Sequence, residues 1–154
     1  MRLVPSLSVL CLGLGLASCA APPPPPPPTI VHVTVTASPD VNPDENGRAS
    51  PVTVRLDQLG STGTFSKADF FQLYGHEQAV LAADFVSSDD LILAPGQSKT
   101  LTIEAKSATK AIGVVVAYRS IDKSSWRQVW TPPPNKTSSL TVTVGKLGVT
   151  AAGG

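Results

Sequence analysis

A chain of 154 residues with 12 basic and 11 acidic side chains has a net charge of +1. That balance excludes a nucleic-acid or anionic-lipid surface built on charge excess. Of its 15 prolines, seven stand together, and it has only two cysteines, too few for a disulfide framework.

Met1-Arg2 makes a short positive start, and residues 3–16 are apolar or small apart from Pro5, Ser6 and Ser8. This is the pattern of a secretory signal, and it is too short for a permanent membrane-spanning helix. Leu16-Ala17-Ser18-Cys19 then matches the bacterial lipobox: an aliphatic residue, two small residues, and the cysteine whose thiol takes the lipid. Cleavage before Cys19 leaves it as the acylated first residue. Each acyl chain contributes about 0.8 kcal/mol per buried methylene, so two or more hold a protein stably at a membrane. Ala20 and Ala21 follow the cysteine. An aspartate there would suggest retention at the inner membrane, so the expected location is the periplasmic face of the outer membrane. Removing residues 1–18 takes away Arg2 and Cys11. Eleven basic and eleven acidic side chains remain, and with Cys19 lipidated no thiol is left for a disulfide or a metal site within the chain.

Pro22 to Pro28 favour polyproline II, which at about 3.1 Å per residue gives a semi-rigid stalk of about 22 Å. The rival reading is a ligand for a proline-binding domain, and the tract's place beside the anchor favours the stalk. About 120 residues follow, enough for one domain with its own core. The expected division is a signal at 1–18, an anchor and stalk at 19–29, a domain at 30–146 and a flexible tail at 147–154.

In that domain "IVHVTVTA" (30–37) alternates Val31, Val33 and Val35 against His32, Thr34 and Thr36, a half-buried strand. Residues 52–59 repeat the pattern with Val54 and Leu56 inward. "FSKADFFQLYGHEQAVLAADF" breaks it: Phe70, Leu73 and Tyr74 have helical spacing, Ser66 to Asp69 reads as a capping box, and Gly75 is a stop. A second helical turn is expected at 78–82. Asp89-Asp90 reads as a turn, and 91–93 and 101–104 as strands flanking "APGQ", a type II turn. "IGVVVAYRS" (112–120), apolar on both faces, reads as a central strand. Residues 126–130 and 140–144 follow. Short strands with one helical insert read as an all-β, two-sheet β-sandwich.

Catalytic and metal patterns are weak. His32 and His76 are far apart and lack zinc-site spacing. No Gly-x-Ser-x-Gly elbow is present, "GSTGTFS" (60–66) lacks a phosphate-binding lysine, and no cofactor is expected. The informative stretch is "SPDVNPDENGRASP" (38–51), between two strands, with prolines at 39, 43 and 51. Prolines restrict it and Asx residues favour successive turns. A long, stiff, polar loop loses little entropy on docking. Asp44, Glu45 and Arg48 are its expected exposed side chains around an Asn46-Gly47 turn, and Asn42 is expected to bond its own backbone ahead of Pro43.

The lipobox, then "ASPDVNPDENGRASPVTVRLDQL", "FSKADFFQLY", "LAPGQSKTL" and "IGVVVAYRSIDKSSWRQVW", together resemble the TssJ family, the outer-membrane lipoproteins of the bacterial type VI secretion system. The resemblance covers Cys19 and nearly all of residues 30–144. It implies a transthyretin-like β-sandwich with a small helical addition and a non-enzymatic role. It also implies docking onto the periplasmic domain of the inner-membrane component TssM through the loop joining the first two strands. Here that loop is Ser38 to Pro51, with Asp40, Asn42, Asp44, Glu45, Asn46 and Arg48 as partner-binding candidates. The proline stalk and the segment after Trp130 are longer than the family requires. Two other functions fit the same composition. A small-ligand-binding sandwich lipoprotein would need a large cavity between its sheets, and a periplasmic hydrolase would need His32 or His76 beside a carboxylate in a cleft.

Overall fold

The computed structural model describes residues 22–154. The expected signal at 1–18, the expected lipidation site Cys19 and the two alanines after it lie outside the described residues. Pro22 to Pro28 are exposed and carry no regular hydrogen-bonded structure, as residues without an N–H require.

β1 (Ile30–Ala37) buries Val31, Val33 and Val35 and leaves His32 exposed, so the period-2 pattern is realised. It pairs antiparallel with β4 (Ser98–Glu104) and parallel with β7 (Thr137–Val144), and β7 pairs with β8 (Val149–Gly153). The first sheet therefore runs β4-β1-β7-β8. The second runs β3-β2-β5-β6 and is antiparallel throughout, from β2 (Val52–Leu59), β3 (Phe85–Leu93), β5 (Ala111–Ala117) and β6 (Arg127–Trp130). The two inner faces meet in one apolar layer. Val33, Val35 and Leu140 from the first sheet and Val54, Leu56 and Val114 from the second are fully or almost fully buried there.

β5 is buried on both faces because a second apolar cluster covers its outer side. That cover is the insert between β2 and β3: α1 (Gly63–Lys67) and α2 (Phe70–Leu81). Phe65 is fully buried, and a Cβ on Gly113 of β5 would lie 2.5 Å from its ring, so only glycine fits there. The capping box falls three residues later than expected. Asp69 accepts from the Gln72 N–H (2.9 Å), and the Gln72 side chain accepts from the Asp69 N–H (3.0 Å). After Gly75 the helix breaks at His76 (φ −139°, ψ 28°) and then resumes to Leu81, so the expected stop is a kink joining both helical pieces.

Two further expectations are corrected. Asp89-Asp90 is not a turn: it lies within β3, with Asp90 opposite Arg55 of β2. β3 is an edge strand with a solvated face, which removes the apolar alternation from "SSDD". Residues 149–153 are not a frayed tail, and the sandwich extends beyond residue 146. β8 pairs in register with β7, Val149 is buried, and Gly154 exchanges two backbone bonds with Ser139 (3.0 and 3.1 Å). An Ala/Gly-rich segment carries no pattern of its own, and the open edge of β7 supplies its partner. The "APGQ" turn forms as expected, with Gly96 at φ +75° and the Gln97 N–H donating to the Ala94 carbonyl (3.0 Å).

Candidate functional site

β1 begins two residues after the proline tract and finishes at Ala37, just before Ser38. Its eight residues, rising about 3.3 Å each, place the Ser38–Pro51 loop roughly 25 Å from the proline tract, at the opposite end of the sandwich. The 94–97 turn, the β5–β6 connection and the β7–β8 turn share that end, because β3, β5 and β7 all run toward it.

The loop is built rather than loose. Val41 is fully buried in the core between the sheets. The Asn42 N–H donates to the Lys146 carbonyl (3.1 Å) and the Ser50 N–H to the Val41 carbonyl (3.1 Å). Asn42 is buried at φ +50°, the left-handed region that asparagine tolerates. Its Nδ2 donates to the Pro51 carbonyl (2.8 Å) and its Oδ1 accepts from the Arg119 N–H (2.7 Å). The expected bond to its own backbone is replaced by these two longer-range ties. Asn42 therefore fixes the loop to β2 and to the end of β5, and its side chain is not presented to a partner.

Asp44 also departs from expectation. Its side chain is only 14 % exposed and faces inward. It accepts from the N–H groups of Asn46 and Arg48 (both 2.9 Å) and from the Arg48 guanidinium (2.9 Å). The Arg48 backbone and side-chain bonds hold its carboxyl below the usual aspartate range. The Asp44 N–H donates to the Arg48 carbonyl (2.8 Å) and the Gly47 N–H to the Asp44 carbonyl (2.9 Å), with Gly47 at φ +78°. The tip is thus a closed turn that displays Glu45, Asn46 and the 80 % exposed Arg48 side chain. Asp40 is exposed at the loop's start and accepts from the Ser38 hydroxyl (2.7 Å).

Across from the tip lies a wall that the sequence does not advertise. A cleft of about 600 Å³ separates Pro43, Asp44 and Glu45 from Arg119, Ser120 and Lys123, with Leu147 also lining it. Arg119 and Lys123 are exposed. Only the fold brings residues 119–123 beside the loop, and no local motif could have found them.

The two histidines do not converge. His32 is exposed on β1, with Nδ1 3.1 Å from the Thr102 hydroxyl of β4, and His76 is exposed at the kink of α2.

A sequence profile of the type VI secretion lipoprotein family (SciN, VasD, EvfM, TssJ) matches residues 29–147. The chain belongs to this family. Its fold is that of known members. The type VI secretion lipoprotein TssJ1 of Pseudomonas aeruginosa superposes with a TM-score of 0.80 at 34 % identity, over 83 % of this chain and 98 % of that one. Lip of Serratia marcescens, a membrane-bound component of the type VI secretion system, gives 0.75 at 25 % identity, over 81 % and 98 %. A chain from a type VI membrane complex gives 0.68 at 26 % identity, over 80 % and 98 %. Among curated proteins no sequence matches. The TssJ family is one of secretion-system lipoproteins rather than of enzymes, and the all-β sandwich with its helical insert is the fold the resemblance implies.

Proposed function

We propose that this TssJ-family lipoprotein is anchored through Cys19 to the periplasmic face of the outer membrane, and that it docks the periplasmic domain of a TssM-like inner-membrane protein. The docking face is the end of the sandwich opposite the stalk. Glu45, Asn46, Arg48 and Asp40 contact the partner on one side of the cleft, and Arg119 and Lys123 on the other. Asn42 and Asp44 hold the loop in its docking shape.

The observation that carries this reading is the loop's construction at that end. Buried Val41 and Asn42 stiffen it, while the charged tip faces solvent far from the lipid. A pre-ordered surface loses little entropy on binding. The likeness to a chain of a type VI membrane complex supports an assembly role.

The test is calorimetry between the domain from residue 22 onward and the purified periplasmic domain of the inner-membrane partner. Changing Glu45 and Arg48 to alanine together should weaken binding more than about tenfold if either is a central paired charge, since such a loss costs about 2–5 kcal/mol. Unchanged affinity in that variant and in Arg119→Ala plus Lys123→Ala would move the interface away from this face.

A further inference from the structure

β2 places Arg55, Asp57 and Leu59 on the outer face of its sheet by simple alternation. On an open sheet both charges would be solvated, but here the helical insert covers them. Arg55 is well provided for. Its guanidinium forks onto Asp90 of β3 (2.8 and 3.0 Å), reaches Glu77 of α2 (3.1 Å), donates to the Tyr74 carbonyl (3.0 Å) and lies 5.1 Å from the centre of the Tyr74 ring.

Asp57 is not. It is fully buried, and neither carboxyl oxygen has a hydrogen-bond partner among the described residues. Its neighbours across the strands, Ser88 of β3 and Gly113 of β5, carry no charge, and Phe65 of α1 sits over Gly113. The charges facing it are Arg55 from its own strand, Asp90 from β3 and Glu77 from α2. Among the described residues one cation thus serves three carboxylates, and two of them already hold it directly. Burial, reinforced by Glu77 and Asp90 and opposed by Arg55, pushes Asp57 up to about 7.

The cover above it is jointed. Non-helical His76 precedes Glu77, and Ala82, just beyond the helix end, sits at φ 48°, ψ −115°, a conformation that L-residues avoid. The helical turn Glu77–Leu81 therefore lies between two irregular joints, and it carries one of the carboxylates that disfavour ionised Asp57.

We propose that Asp57 is a proton-operated latch beneath α2. While its carboxyl is protonated the Glu77–Leu81 turn stays seated on the sheet, and when it ionises that turn lifts between the His76 and Ala82 joints and water reaches the carboxylate. Acid closes the latch and mild alkali opens it. The opening is local, because the core between the sheets lies on the other side of β2.

The experiment is amide hydrogen exchange by mass spectrometry on the full protein purified in detergent, with intrinsic exchange chemistry subtracted. Protection of the 77–82 amides should fall about tenfold or more between about pH 6 and about pH 8, while β5 amides stay protected. Asp57→Asn keeps the shape without the charge and should hold the 77–82 amides protected across the range. Carboxyl carbon NMR on the unaltered protein supplies a second readout: Asp57 should titrate together with the amide shifts of 77–82. Titration of Asp57 in the ordinary aspartate range, or the same exchange profile in wild type and Asp57→Asn, would overturn the latch.

Discussion

At the residue scale, the loop's polar side chains divide into those that hold it and those that face outward. Asn42 saturates the Arg119 N–H and the Pro51 carbonyl. Asn42→Ala should therefore cost about 2–3 kcal/mol in urea unfolding, because it leaves partners unsatisfied. Asp44 is held by four accepted bonds within its own turn, so Asp44→Ala should loosen the tip, seen as faster exchange of the Asn46 and Arg48 amides. Because its folded pKa is depressed, that contribution is present above the ordinary value of 3.8 and is lost as pH falls below it. Asp57 has the opposite sign. Its carboxyl binds a proton more tightly in the folded state, so stability falls as pH rises from 3.8 to about 7 and is level above that. Asp57→Asn should be more stable than wild type at about pH 8, by roughly 2–4 kcal/mol in denaturant titration, and should lose this pH slope.

At the element scale, the insert and the last strand both test how the sandwich is closed. Phe65 stands where a side chain at position 113 would go, so Gly113→Ala should destabilise by about 1–3 kcal/mol through overpacking, read from the midpoint of chemical unfolding. β8 covers the edge of β7 and buries Val149. Ending the chain after Leu147 should lower the melting temperature and expose the β7 edge, a template for self-association. A truncated chain that stays monomeric and melts normally would show that β8 contributes nothing to closure.

At the scale of the whole molecule, the proline tract and the Ser38–Pro51 loop lie at opposite ends of the sandwich. Pro22 to Pro28 are all exposed. Deleting them should leave the melting temperature unchanged while shortening the reach of the domain by about 22 Å. A clear drop in melting temperature would mean that the tract packs on the domain. Cys19→Ser should leave the precursor unprocessed and remove the protein from the outer-membrane fraction, since a hydroxyl does not replace the thiol in lipid transfer. Persistence there with acyl labelling would refute the anchor.

Alternation determined much of this protein in advance. The valines of β1, Val54 and Leu56 of β2 and the apolar run of β5 each declare which face is buried, because side-chain direction in a strand is set by chain geometry alone. Pro95-Gly96 declares its turn for the same local reason. Family membership was legible too, since the ordered segments lie in one continuous stretch. Tertiary structure decided what depends on a neighbour. β8 is a strand because β7 offers an edge, and Asp90 is paired because Arg55 stands opposite it. Asn42 and Asp44 face inward because the loop folds onto residues 119 and 48. Arg119 and Lys123 line the cleft beside the loop because antiparallel strands return the chain to the same end. Asp57 alternates like any solvent-facing aspartate; only the helices laid over it turn an ordinary polar position into a buried carboxyl with no hydrogen-bond partner among the described residues.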